Sequence, residues 1–318
     1  VRRTLPLAHL RRYAPLLPAA ELEPFLEAAA RPLPRVVWAN PLRAPLDRIE
    51  ADVRALWPDA EPLRWCPGAW RLSSDAQPGH TLPFLLGRLH AQEEAALFAA
   101  RALGARPGER VVDLCAAPGN KTARLAVEME DTGLVVANDV SAGRLPGLRR
   151  VVERLGLTSV CVTQGNAAKF PGAAGRYDRV LADVPCSGEG TSRKPDGRTE
   201  GDDPVHRRFV TALQAEILRR ALELVKPGGV VVYATCTFGP EENEAVLDTV
   251  PLEVAEIEPL DDVLDRALLP VRPGVLAWGE RTFRADVVHA ARFWPHVHDT
   301  GGFFVARLRR RAGEGTCG

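Results

Sequence analysis

The hydrophobic pattern of the chain changes character near residue 90. Before it, prolines are frequent (Pro6, Pro15, Pro18, Pro24, Pro32, Pro34, Pro41, Pro45) and apolar positions recur only in short runs. Two of these runs, 19–30 and 46–57, repeat at helical spacing, and Arg35–Trp38 reads as a short strand. A small α+β unit is expected over residues 1–90. Beyond it, helical and continuously apolar segments alternate. Helices are predicted at 91–103, from about Asn120, at 141–155 and near 204–225. Strands are predicted at 110–115, 134–139, 160–163, 177–183 and 230–235, with 252–257 and 303–308 at the sheet edge. The strands between 110 and 235 are nearly unbroken Val, Leu and Ala, as in a parallel sheet covered on both faces. The expected fold class is α/β: a doubly wound Rossmann-like sheet over 91–310, preceded by the small α+β domain and followed by a tail at 311–318.

In such a sheet, ligands bind outside the carboxyl ends of the strands, so the residues found there share one crevice. The first strand runs into DLCAAPGNKT (113–122), a loop of small residues opening a helix. Gly119 lets backbone approach a ligand, and the helix N-terminus offers free N–H groups to an anion. The loop is not the G-x-G-x-x-G turn that holds a pyrophosphate, which favours S-adenosylmethionine over a dinucleotide. Asp139 ends the second strand, where a carboxylate can accept both ribose hydroxyls; alternatively it caps the next helix. Arg144, on that helix, is expected to face solvent.

The next two strand ends carry thiols. DVPCSGEGT (183–191) and ATCTF (234–238) place Cys186 and Cys236 after adjacent strands. One buried cysteine is ordinarily a small hydrophobe, but two beside Asp183 and opposite a cofactor loop point to chemistry. Cys161, inside an apolar strand, is expected in the core, while Cys66 and Cys317 have no context that suggests catalysis. The six cysteines form no C-x-x-C pair, which disfavours disulfides and structural zinc. A reducing, cytoplasmic setting without metal is expected.

DLCAAPGNKT, DVPCSGEGT and YATCTF, in this order, resemble the Nop/Sun (RsmB/Nop) family of S-adenosylmethionine-dependent RNA cytosine-5 methyltransferases. EPLRWCPGAW, HAQEEA, GPEENEAVL and ARFWPH…GGFFVARL extend the resemblance over about 60–308, and WANPLR (38–43) matches loosely. The resemblance implies Cys236 as the nucleophile adding to cytosine C6 and Cys186 as the thiol assisting release. It implies a cofactor site at Cys115, Ala116, Ala117, Pro118, Gly119, Asn120, Lys121, Asp139, Asn166 and Asp183. Asn166 departs from the Asp usual in related sequences. Asp183, bound as the neutral acid, is expected to hydrogen-bond cytosine N3. Lys121 is read two ways, as a cation lowering the Cys236 pKa or as an exposed first-turn residue.

A target base must leave its stack to enter such a pocket, so cytosines in single-stranded or loop regions of rRNA or tRNA are the expected substrate. Arg193 and Lys194, then Arg198, Arg207 and Arg208, follow the Cys186 loop and are candidates for holding RNA; residues 188–203 read as a mobile cover. Two other readings are a methyltransferase of DNA or a small molecule, and a catalytically silent RNA-binding assembly factor. Both leave the paired thiols unexplained.

Composition narrows this only slightly. A chain 46% hydrophobic and 26% charged is globular, and no apolar run approaches the roughly 18 residues that span a bilayer. No apolar run follows the basic residues near the start, so no secretory signal is expected. Forty-one basic residues balance 41 acidic ones, although residues 1–90 hold 12 basic and 9 acidic. Neutrality limits indiscriminate RNA affinity, leaving specificity to a shaped groove, with the N-terminal unit as an RNA-binding appendage and the protein a monomer.

Overall fold

The computed structural model describes residues 7–194 and 204–312. Arg198, Cys317, most of the tail and the distal part of the 188–203 stretch lie outside the described residues. Helix α1 (Leu22–Ala30) follows 3-10 turns from Leu7. Strand β1 (Arg35–Ala39), helix α2 (Leu46–Leu56) and strands β2 (Glu61–Pro62) and β3 (Ala69–Leu72) come next, then helix α3 (Leu82–Leu85) and strand β4 (Leu89–Ala91). These strands form a four-stranded sheet in the order β2-β3-β1-β4. The predicted helix at 91–103 therefore starts late, as α4 (Glu94–Leu103), because Leu89–Ala91 pair antiparallel with β1. Residues 7–30 pack elsewhere: Leu10, Tyr13, Phe25 and Ala29 bury against Phe238 and Trp294.

The large sheet begins with β5 (Arg110–Asp113), α5 (Asn120–Glu128), β6 (Leu134–Asp139), α6 (Leu145–Leu155) and β7 (Val160–Gln164). It continues with β8 (Tyr177–Asp183), α7 (Pro204–Leu224) and β9 (Val225–Thr235). Helix α8 (Glu244–Leu247), strand β10 (Ala255–Glu258) and the short strands β11 (Arg272–Pro273), β12 (Ala277–Trp278) and β13 (Arg281–Thr282) follow. Last come β14 (Ala291–Phe293), α9 (Pro295–His298) and β15 (Phe303–Arg310). The order is β11-β14-β15-β9-β8-β5-β6-β7, with β10 also on β15. Strands β5 to β9 are parallel, and β15 is antiparallel to β9.

Alternation across the pleat feeds two cores. Val111, Leu181 and Val232 face the side covered by α4, α5 and α6, while Val112, Val180 and Val231 face α7. Each fully buried Val or Leu contributes about 1.5–3 kcal/mol over an exposed one, so the central strands anchor the loops at their ends. Strand β7 is the exception. As the sheet's edge it is only partly covered, and Cys161, expected in the core, is exposed. An apolar run does not distinguish an edge strand from a central one.

The topology reverses between β5 and β8, since β6 lies on one side of β5 and β8 on the other. The crevice at that switch point is where a ligand is expected.

Candidate active site

Between β5 and α5 the loop is held by backbone contacts. Ala116 N donates to Asn138 O (2.7 Å), and Asn138 Nδ2 donates to Leu114 O and Gly165 O, both at 2.9 Å. Gly119 has φ +107°, and a Cβ there would lie 2.6 Å from Leu148 Cδ1, so only glycine lets α5 start so close to α6. Asp139 is buried: Oδ2 accepts from Ala117 N (3.1 Å) and Oδ1 from Ser141 N (2.9 Å). Arg144 is not simply solvent-facing as expected. Its guanidinium lies 3.3 Å from Asp139 and donates to Ala117 O, clasping the loop while its outer edge stays exposed. Asn166, beyond β7, is exposed and accepts from Ala168 N (2.9 Å), capping the turn Ala167–Lys169.

Below the loop, Asp113 Oδ2 accepts from Thr122 Oγ1 (2.7 Å), whereas its buried Oδ1 has no partner. Burial pushes the Asp113 carboxyl up to about 7, with the Asp183 charge adding to the shift. Lys121 Nζ donates to Asp183 Oδ2 (2.6 Å) and sits 5.3 Å from the Phe303 ring centroid. Burial opposes its charge, yet Asp183, Asp113 and Cys236 outweigh burial and raise its pKa. Of the two readings of Lys121, the exposed one fails. Asp183, expected to present a proton to a bound base, accepts from Lys121 through Oδ2.

The thiols meet as expected. Cys186 Sγ and Cys236 Sγ are 3.1 Å apart, and Cys236 N donates to Cys186 Sγ (3.3 Å). The hydrogen bond with Cys236, and then burial, hold the Cys186 pKa well above that of an ordinary thiol. Cys115, in the cofactor loop, is raised well above the ordinary value by burial. Gly190 is wedged beside this pair: Gly190 N donates to Cys236 O, Gly302 N donates to Gly190 O, both at 2.9 Å, and a Cβ on Gly190 would lie 2.0 Å from Gly302 O.

The two basic candidates separate. Arg193, expected to hold RNA, is buried within the protein. Its side chain is 1% exposed and donates to the carbonyls of Arg31, Pro32 and Thr300 and to Asp299 (2.6 Å). It pins the Cys186 loop to the N-terminal segment and to the turn before β15. Lys194 remains partly exposed, 3.8 Å from Glu93, in a cleft of about 250 Å³ shared with Arg35, Gln92 and Asn120. Sequence reasoning missed His90, whose Nε2 pairs with Asn120 Oδ1 (3.0 Å) and whose Nδ1 faces Arg154. Burial, and then Arg154, lower its pKa to about 4, so β4 meets the cofactor loop through a neutral imidazole. It also missed Glu189 and Glu242, which touch the neighbours of both thiols. Both lie in segments that carry the family resemblance, DVPCSGEGT and GPEENEAVL, but nothing local shows that the two carboxyls meet in the folded chain. Among the described residues, no group of three or more His, Cys, Asp or Glu could hold a metal ion, and no helix is long and apolar enough to cross a membrane.

Residues 100–309 match the family model described as 16S rRNA methyltransferase RsmB/F. Ribosomal RNA small subunit methyltransferase F of Cronobacter sakazakii is 35% identical over 318 residues, covering 97% of this chain and 64% of that protein. The Pectobacterium carotovorum protein of that name is 32% identical, covering 97% and 63%. The chain thus spans just under two thirds of the length of these relatives. Among solved structures, a methyltransferase homolog from Pyrococcus horikoshii is 28% identical with a TM-score of 0.79, covering 96% of this chain and 99% of its own. NSun6 from Pyrococcus horikoshii with SFG shares the fold at 20% identity and a TM-score of 0.79, covering 98% and 100%. With its model matched across both rims of the crevice, the chain belongs to the 16S rRNA methyltransferase RsmB/F family.

Proposed function

We propose that the protein transfers a methyl group from S-adenosylmethionine to C5 of a cytosine in small-subunit rRNA. The observation that carries this reading is the contact between two thiols beside the Lys121–Asp183 pair at the switch point. The names of the relatives favour rRNA over tRNA. The loop fits the cofactor: Gly119 lets α5 begin hard against α6 with free N–H groups at the strand end, and Asp113 Oδ1 is a buried polar atom without a partner. Cys115–Lys121, Asp139, Asn166 and Asp183 would hold it, with Asp139 exchanging its clasp for the ribose hydroxyls. When bound, it supplies an electrophilic methyl group.

Cytosine C5 is a poor nucleophile until C6 carries an adduct. The Cys236 thiolate forms a bond to C6, and the electron pair of the 5,6 double bond becomes available at C5. Lys121 donates a proton or hydrogen bond at N3, and the free oxygen of Asp183 accepts from the N4 amino group. After methylation, C5 must lose its proton before the C6–S bond breaks and Cys236 leaves. Cys186, in contact with Cys236, first gives its own proton to solvent and then takes the C5 proton; the C5–H electron pair re-forms the 5,6 double bond, and the C6–S bond breaks with Cys236 leaving as the thiolate. The N-terminal unit and Lys194 hold the RNA strand.

Cys236→Ala tests the reading directly. Methylation, followed by bisulfite sequencing of small-subunit rRNA, falls by roughly a thousandfold or more while RNA binding persists. Full retention of methylation overturns the proposal.

A further inference from the structure

Behind the thiols lies a cluster that the chemistry above does not use. Ser187 and Thr237, the chain neighbours of Cys186 and Cys236, are buried with Glu189 and Glu242. Ser187 Oγ is hydrogen-bonded to both Glu189 Oε2 and Glu242 Oε1. Thr237 Oγ1 bonds the same Glu189 oxygen, and Tyr13 OH donates to Glu189 Oε1 (3.0 Å). Glu242 Oε2 accepts from Ser187 N (3.0 Å) and Gln214 Nε2 (2.9 Å).

The protons do not suffice if both carboxyls are ionised. Ser187 has one hydroxyl proton and faces two carboxyl oxygens, with the Thr237 hydroxyl oxygen a further 3.1 Å neighbour. One contact would then set lone pair against lone pair in a buried site, a costly arrangement. A proton on Glu242 Oε1 resolves it. That oxygen donates to Ser187 Oγ, and Ser187 donates to Glu189 Oε2. Thr237 donates to the same oxygen and Tyr13 to the other, so three hydroxyls converge on Glu189. Glu242 keeps Oε2 as the carbonyl that two N–H groups approach, as a neutral acid does.

We propose that Glu189 and Glu242 form an acid–carboxylate pair holding one proton through Ser187, and that the pair is a positioning device fixing the two thiols at contact distance. Burial, and then the Glu189 charge, raise the Glu242 pKa against the pull of Ser187 and Gln214. The other groups facing Glu242 are Cys186 and Tyr233, whose hydroxyl donates to the Glu242 backbone carbonyl (2.6 Å). The adjacent Glu241 pairs with Arg12 (2.5 Å). Among the described residues, neither Glu189 nor Glu242 makes an ion pair. The proton count rests on these hydrogen bonds alone, whereas its consequence for the thiols rests on the proposed function.

Two variants separate the carboxyls. In Glu242→Gln the new amide still donates to Ser187 Oγ and still accepts from Ser187 N and Gln214. Methylation falls by no more than about threefold, and any alkaline loss of kcat caused by ionising Glu242 disappears. In Glu189→Gln an NH2 group or a single carbonyl replaces an anion facing three hydroxyl donors. The kcat drops by about tenfold or more, KM for the cofactor holds, and the relative rates at which iodoacetamide alkylates Cys186 and Cys236 change. Infrared difference spectra of wild type minus Glu242→Gln, in which Asp113 cancels, show the carbonyl band of a protonated acid at neutral pH. Absence of that band, or a tolerated Glu189→Gln beside a crippled Glu242→Gln, overturns the proton assignment. Unchanged kcat and alkylation in both variants overturn the positioning role. If the band is present while Cys236→Ala methylates normally, the functional reading fails and the shared proton stands.

Discussion

After β5 and β6 the crevice is lined mainly by backbone: small residues, a left-handed glycine and one buried carboxylate clasping an amide. After β8 and β9 it is lined by side chains: two thiols whose neighbours are tied by hydroxyls to two buried carboxyls. The first rim depends on closeness of approach and is broken by bulk. The second depends on a count of donors and acceptors and is broken by moving one proton or one hydroxyl. A ligand recognised through its general shape suits the first, and a reaction requiring two thiols in register suits the second.

The largest difference should come from Gly119→Val. A branched side chain at φ +107° that also meets Leu148 displaces the start of α5, and cofactor affinity by calorimetry drops by about a hundredfold. Alkylation of Cys236 should be unaffected; an equal change in both would show that the rims are not separable. Next comes Arg193→Ala on the thiol side. Removing a buried guanidinium that binds three carbonyls and Asp299 lowers unfolding free energy by about 2–3 kcal/mol in urea titrations, while RNA affinity of the folded protein stays within about twofold. A selective loss of RNA affinity would restore Arg193 as a contact residue.

The smallest signal is a slope. Burial raises the Asp113 pKa from 3.8 to about 7, so the folded protein keeps a proton that the unfolded chain releases near pH 4. That contribution to stability is complete below about pH 4 and lost as the pH climbs to about 7, at no more than one proton per molecule. Asp113→Asn removes this slope from the melting temperature measured across the same window. A slope unchanged by the substitution would place the missing proton elsewhere.

The strand ends were legible in the sequence because a parallel sheet brings its carboxyl ends together whatever the details. Asp113, Asp139, Asp183 and the two cysteines each close an apolar run, so their convergence follows from topology. Contacts between distant segments leave no such trace. Glu189 and Glu242 sit in polar stretches that look like solvated loops, and Arg193 looks like part of a basic surface run. Only the fold shows them buried. Short strands escaped for a simpler reason: β4 and β14, three residues each, are too brief to show a period. Cys161 misled because apolar sequence records what a residue could bury, not how many neighbours its strand has.

The Tyr13–Glu189 bond bears on the order in which the molecule is assembled. Glu189 collects hydroxyls from Tyr13 and Thr237, while Phe238 packs on Trp294 and Gly190 on Gly302. A chain emerging from the ribosome can form β5 to β8 and their helices before those later partners exist. The contacts that set the spacing of the two thiols are complete only after Gly302 has been made. On the proposed function, synthesis itself delays the chemistry and keeps the Cys236 thiol idle in a half-made chain.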